Sequence, residues 1–82
     1  MKEEIEESGI DHPFKYRSYG KSELASLYLP NILPSSAMKG FNEWIATYPG
    51  LLDRLRASGL ALRSKRYTPL QVKMITEALG EP

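Results

Sequence analysis

Apolar residues recur with helical spacing in four stretches of this chain. In the clearest stretch, five of them follow the i, i+4, i+7, i+8, i+11 pattern of a single helix face: Ala37, Phe41, Trp44, Ile45 and Tyr48. The four stretches predict helices near residues 22–29, 35–47, 50–58 and 69–79.

Capping residues and prolines set the predicted limits of the first two helices. Ser22 is a typical N-cap for the first helix, and Pro30 ends it because the residue before a proline resists helical backbone angles. Either Ser35 or Ser36 caps the second helix. Gly40 lies inside that helix, where it would permit close packing of a neighbouring helix.

The last two helices have similar signals at their ends. Pro49 suits the first turn of the third helix, and Gly59 is a typical C-terminal stop. Thr68 and Pro69 have the residue types favoured at the N-cap and first helical positions of the fourth helix. Gly80 ends that helix.

Two short segments have the alternation of extended chain. Phe14 and Tyr16 fall on one face of residues 14–19, with Lys15 and Arg17 on the other. Residues 61–67 alternate more weakly. We expect the two segments to pair as a ribbon that packs on the helices, because an isolated two-stranded ribbon is only marginally stable.

These elements predict a mainly α fold: a small four-helix domain with a helix-turn-helix-like core and a minor two-stranded β ribbon as a wing. The length of 82 residues gives room for one domain. We assign that domain to residues 13–82. Residues 1–12 are highly charged, and we expect them to form a disordered acidic tail.

The net charge of +1 conceals an asymmetry along the chain. Residues 1–11 contain five acidic residues and one basic residue, whereas residues 12–82 contain ten basic and five acidic residues. A basic domain with an acidic tail is attracted to phosphate, although the same charge is also typical of ordinary solubility.

The residues needed for catalysis or metal binding are scarce. His12 is the single histidine, it falls in the tail, and the chain has no cysteine. Zinc sites and nucleophilic catalytic centres normally use these residue types. We therefore expect no enzyme activity, no catalytic residues, no metal and no cofactor. No apolar run is long enough for a signal peptide or a membrane span, so a cytoplasmic protein is expected.

Double-stranded DNA is the first candidate partner. A short helix, a turn and a longer amphipathic helix form the helix-turn-helix layout, in which the second helix faces the base edges. The predicted base-facing residues are Ser35, Ser36, Lys39 and Asn42. The predicted phosphate-facing residues are the basic residues of the predicted ribbon and of the start of the first helix: Lys15, Arg17, Lys21, Arg63, Lys65 and Arg66.

A non-enzymatic protein-interaction or adaptor domain, in the form of a homodimer or with another partner, is the alternative. The chain is rich in aromatic residues, which are common in the energetic centres of interfaces. Aromatic residues of the helices also fill cores, and we expect Tyr28, Phe41 and Trp44 to do so. The sequence leaves the choice between DNA and a protein partner open.

Motifs in residues 17–25, 44–45, 67–69 and 79–82 together resemble a family of short uncharacterised proteins from gut anaerobic bacteria, known only as a domain of unknown function. That resemblance implies no activity. Glu23-Leu24-Ala25 and Tyr67-Thr68-Pro69, with a second helix between them, are also similar to the DNA-binding half of MerR-type regulators. This looser similarity implies a DNA-binding helix-turn-helix domain.

Overall fold

The computed structural model describes residues 14–82, which form four helices and one two-stranded antiparallel sheet. The mainly helical fold predicted from the sequence is confirmed. The predicted acidic tail, residues 1–12, lies outside the described residues. The elements in chain order are β1 (Tyr19–Gly20), α1 (Lys21–Tyr28), α2 (Pro34–Thr47), α3 (Leu51–Ala57), β2 (Arg66–Tyr67) and α4 (Pro69–Leu79).

Helix α1 begins earlier than the sequence pattern predicts. Its N-cap is Gly20 and not Ser22, because β1 runs directly into the helix. The Gly20 N–H donates to Glu23 Oε1 at 3.1 Å, so the first-turn glutamate satisfies an amide that the helix leaves free.

Helix α2 also begins one residue before its predicted start. The N-cap is Leu33, and Pro34 occupies the first helical position, where its fixed φ angle suits the helix. Neither Ser35 nor Ser36 is the cap that the sequence predicts. A Cβ atom placed on Gly40 would lie 3.2 Å from Leu29 Cδ1, so this glycine permits the close approach of the chain that follows α1.

Helix α3 is enclosed by two turns. Residues 48–51 form a type II turn, in which Leu51 N–H donates to Tyr48 O at 3.2 Å and Gly50 takes a φ of 76°. Pro49 therefore belongs to this turn and not, as predicted, to the first turn of α3. At the other end Gly59, with φ 108°, forms a Schellman motif, because Leu60 N–H donates to Leu55 O at 3.0 Å.

Helix α4 has the limits that the sequence predicts. Thr68 is the N-cap: its Oγ1 accepts from Gln71 N at 3.2 Å, while Gln71 Oε1 accepts from Thr68 N at 2.9 Å. Gln71 is buried, and its Nε2 donates to Ser58 Oγ at 3.1 Å. This reciprocal cap therefore also attaches α4 to the end of α3.

The ribbon is much shorter than the predicted pairing of residues 14–19 with 61–67. Tyr19 pairs with Tyr67, and Gly20 pairs with Arg66. The chain before β1 bends instead of extending: Tyr19 Oη donates to Lys15 O at 2.9 Å, and the rings of Phe14 and Tyr19 stack at 5.4 Å. The segment before β2 curls into a turn and likewise forms no ladder.

One hydrophobic core joins all six elements. The expectation that Trp44 belongs to this core is wrong: its side chain is 43% exposed, and its ring meets the edge of the half-buried Tyr28 ring at 6.4 Å. Phe41 is fully buried as expected. The buried hydrophobic residues are Tyr19, Leu24, Ala25, Ala37, Phe41, Ile45, Leu51, Leu55, Tyr67, Val72 and Ile75.

The reciprocal cap of α4 predicts that Thr68→Ala destabilises the domain by about 1 kcal/mol, the usual effect of losing a side-chain cap. Ser22→Ala is the control, since Ser22 is exposed and lies inside α1. Denaturant unfolding should show a lower midpoint for Thr68→Ala and an unchanged or slightly higher one for Ser22→Ala. Equal losses in the two variants would contradict the assignment of Gly20 and Thr68 as the caps.

Candidate functional site

The loop between α3 and β2 is attached to the start of α1. Lys21 N–H donates to Lys65 O at 3.0 Å, continuing the ribbon by one bond, and Lys21 Nζ reaches Ala61 O at 3.4 Å. Within the loop, Ser64 N–H donates to Ala61 O at 3.1 Å while Ser64 Oγ accepts from Ala61 N at 3.0 Å. Residues 61–64 are therefore a closed turn held against α1.

A groove, named here the basic groove, runs between this turn and one side of α2. Its charged residues are Lys21, Arg63 and Lys65, and among residues 14–82 no acidic residue lines it. Four of the predicted DNA-binding residues meet there, because Asn42 of α2 lines the same groove. Its lining consists of Lys21, Ser22, Met38, Asn42, Leu62, Arg63, Ser64 and Lys65.

The other predicted base-facing residues lie along the exposed side of α2. Ser35, Lys39 and Asn42 have the i, i+4, i+7 spacing of a single helical stripe, and all three are exposed. Ser36 is exposed beside Ser35. The stripe therefore leads from the N-terminus of α2 to the basic groove, which it meets at Asn42.

The other three predicted phosphate-facing residues, Lys15, Arg17 and Arg66, do not line the groove. Arg17 forms an ion pair with Glu23, with Nη2 and Oε2 3.0 Å apart, and its guanidinium lies 3.8 Å from the centre of the Tyr19 ring. This pairing lowers the pKa of Glu23, with help from the Gly20 N–H. Arg66 Nε donates to Ser18 Oγ at 3.0 Å, while Lys15 lies exposed before β1.

A smaller cavity, named here the α2–α3 cavity, adjoins the groove and has a volume of about 260 Å³. It shares Lys21, Asn42 and Leu62 with the groove. Arg56 of α3 also lines it and was not among the site residues expected from the sequence. The helical pattern places Arg56 merely on an outer face, and only the packing of α3 beside α2 brings it to this cavity.

Tyr67 lines the α2–α3 cavity and is the largest fully buried side chain of the core, with 1% exposure. Burial raises the pKa of the Tyr67 phenol to about 12. Among residues 14–82, its hydroxyl has no hydrogen-bond partner, unlike those of Tyr16, Tyr19 and Tyr28. A buried polar group without a protein partner is uncommon and calls for an explanation.

Two kinds of site are missing from residues 14–82. They contain no group of three or more His, Asp or Glu side chains placed to hold a metal ion. Over the same residues, no helix has the length and hydrophobicity needed to cross a bilayer. The candidate sites described for this part of the chain are the basic groove and the adjoining cavity.

A model of a protein family, described as "Domain of unknown function (DUF4248)", matches residues 15–82. The match covers the whole described fold apart from Phe14. No curated protein and no solved structure matches this chain.

The environment of Tyr67 predicts how stability depends on pH. Because burial raises the pKa of Tyr67 from about 10 to about 12, the fold keeps its full stability below about pH 10 and loses part of it as the pH rises towards about 12, where unfolding allows the phenol to ionise. Tyr67→Phe should therefore match the wild type in urea unfolding at pH 8 and be the more stable of the two at pH 11.

Tyr48→Phe is the matched control, since Tyr48 is 39% exposed, and it should follow the wild-type pH profile. A loss of more than about 1 kcal/mol in Tyr67→Phe at pH 8 would show that the hydroxyl has a stabilising partner.

Proposed function

Since the chain belongs to the family of domains of unknown function DUF4248, which brings no activity with it, we propose a function from the surface of the domain: it binds double-stranded DNA. In this proposal α2 enters the major groove, and the turn at residues 61–64 acts as a small wing against the phosphate backbone. The observation that carries the proposal is the charge of the basic groove.

Three basic side chains line that groove beside α2, the second helix of the proposed helix-turn-helix pair, and no acidic side chain of residues 14–82 lies among them. One of these basic residues, Lys21, begins α1, whereas Arg63 and Lys65 lie in the loop before β2, 40 residues or more later in the sequence. Only the ribbon and the closed turn bring them together. Such a cluster attracts a polyanion, since each neutralised phosphate releases condensed counterions.

The start of α2 adds a second favourable feature. No side chain caps this end, and the Ser35 and Ser36 N–H groups donate no hydrogen bond within residues 14–82. Free amides at a helix N-terminus bind phosphate oxygens well, because the helix dipole also favours negative charge there. Beside the basic groove, they would fix the position of α2 on the duplex.

Asn42 and Lys39 are the residues best suited to read bases. An asparagine amide forms a bidentate pair with adenine N6 and N7, and a lysine donates to guanine O6 or N7 in the major groove. Both side chains are exposed on the α2 stripe. Ser35 and Ser36 are short enough to let the helix approach the base edges closely.

The order of elements also favours DNA binding. A MerR-type domain has an extended lead-in, a helix with Glu-Leu-Ala, a second helix and a later helix that begins with Tyr-Thr-Pro or Phe-Thr-Pro. Here β1 precedes α1 with Glu23-Leu24-Ala25, and β2 with Tyr67 precedes α4. The connection between α1 and α2 is five residues long, which is slightly longer than the turn of about three to four residues that is usual in a helix-turn-helix pair.

The test is a fluorescence-anisotropy titration of a mixed-sequence duplex at several salt concentrations. We expect the Arg63→Ala/Lys65→Ala double variant to bind more weakly and to reduce the slope of log K against log salt by about 2, because two phosphate contacts are lost. Its thermal unfolding should match that of the wild type, since both side chains are exposed.

Arg54→Ala/Lys73→Ala is the matched control. It removes the same charge from exposed positions that do not line the basic groove, so its slope should stay close to that of the wild type. The proposal fails if the wild type shows no salt-dependent binding, or if the two double variants lose affinity equally.

The exposed position of Trp44 favours self-association as a second candidate function. Its ring packs on Tyr28, which lines a shallow apolar cavity together with Ile32, and Ile32 is half exposed. The Tyr28 hydroxyl donates to Gly80 O, so the platform beneath Trp44 is held to the end of α4. Exposed aromatic residues on a fixed base are typical centres of protein interfaces.

Sedimentation over a wide concentration range tests this second candidate. If Trp44 lies in a homodimer interface, the wild type should gain mass with concentration and Trp44→Ser should remain monomeric. Leu70→Ser is the control, because Leu70 is 58% exposed on α4. A wild type that stays monomeric throughout would exclude the homodimer.

A further inference from the structure

The α2–α3 cavity has the composition of a small-molecule site. Its floor is formed by Ile45 and Tyr67, both buried, with Leu52 and Leu60 half-buried at the sides. Three further apolar residues, Ala46, Ala61 and Leu62, are exposed and line its open side. Ligand sites are usually concave and mostly apolar, with a few polar groups that fix the orientation of the ligand. At about 260 Å³, this cavity is suited to a small ligand.

The polar groups at the rim select the charge of that ligand. Among residues 14–82, the residues with a charged or amide side chain that line the cavity are Lys21, Asn42 and Arg56. Both charged residues, Lys21 and Arg56, are basic. Within residues 14–82, the Arg56 guanidinium and the Asn42 amide form no side-chain hydrogen bond, and both side chains are exposed at the rim. The arginine fork matches a carboxylate through two parallel N–H donors, and a carboxylate attached to an apolar body also suits the apolar wall.

Tyr67 supplies an independent observation. Its side chain is 99% buried, it lines the cavity, and its hydroxyl has no partner among residues 14–82. Such a group normally bonds to a buried water or to a ligand. The phenol is neutral at ordinary pH, as an unperturbed tyrosine also is, and burial raises its pKa further to about 12, so its hydroxyl is available as a hydrogen-bond donor.

We propose that the α2–α3 cavity binds a small organic carboxylate, with the apolar body of the ligand against Ile45 and Leu52 and the carboxylate beside Arg56 and Lys21. The Tyr67 hydroxyl donates a hydrogen bond to the bound ligand. This site takes a small molecule, so it is a different activity from the proposed binding of DNA.

The experiment titrates 1-naphthoate into the full, ¹⁵N-labelled chain without nucleic acid and follows the amide resonances by NMR. Saturable shifts are expected at the cavity residues, among them Ala46, Leu52 and Ala61, with a dissociation constant in the millimolar range, as is typical of a ligand of this size. The neutral probe 1-naphthalenemethanol has the same ring system without the charge and should bind more weakly.

Arg56→Gln and Arg54→Gln form the matched pair of variants. Both arginines are exposed on α3, and Arg54 does not line the cavity. Arg56→Gln should weaken naphthoate binding about tenfold, whereas Arg54→Gln should leave it unchanged. Tyr67→Phe should weaken it about three- to tenfold without changing which amides shift.

The proposal is overturned if naphthoate produces no shifts at the cavity residues at millimolar concentrations. It is also overturned if the neutral alcohol binds equally well, or if the two arginine variants behave alike, since the charge at the rim would then select nothing. Because no DNA is present, either result leaves the proposed DNA binding to its own test.

Discussion

The pairing of Tyr19 with Tyr67 is the contact on which the rest of this domain depends. Only two residues of each strand pair, yet they join positions 48 residues apart and bury both tyrosine rings in the core. The bond from Lys21 N–H to Lys65 O extends this junction and holds the turn at residues 61–64 beside α1. Without the pairing, the turn would not lie opposite α2, and neither the basic groove nor the α2–α3 cavity would exist.

Features set by neighbouring residues could be predicted from the sequence. Thr68, Pro69 and Gly80 define α4 because caps, a first-turn proline and a left-handed glycine act within a few residues of the chain. Ser22 failed as a cap for the opposite reason: β1 begins the helix earlier, and that strand exists only through its distant partner. The ribbon is shorter than its alternating pattern because the chain bends before β1 and turns before β2.

The residues of the candidate sites likewise divide into those that the sequence predicts and those that only the packing of distant elements reveals. Lys21, Asn42, Arg63 and Lys65 could be chosen by residue type and by their place in a helix-turn-helix layout, and the structure brings them together. Arg56 could not be chosen, since its role depends on how α3 packs beside α2. Helical spacing places Trp44 near the apolar face, but a periodic pattern does not determine how far an edge residue is covered.

The position of the last core residues along the chain affects how the protein folds during its synthesis. Tyr67, Val72 and Ile75 are buried against the earlier helices, and they leave the ribosome after α1, α2 and α3 have emerged. Until then the nascent chain exposes the apolar faces that these residues later cover, and such exposed surface favours aggregation. The core is therefore completed only when α4 has left the ribosome, and a chain that stalls before residue 67 lacks the strand that closes the fold.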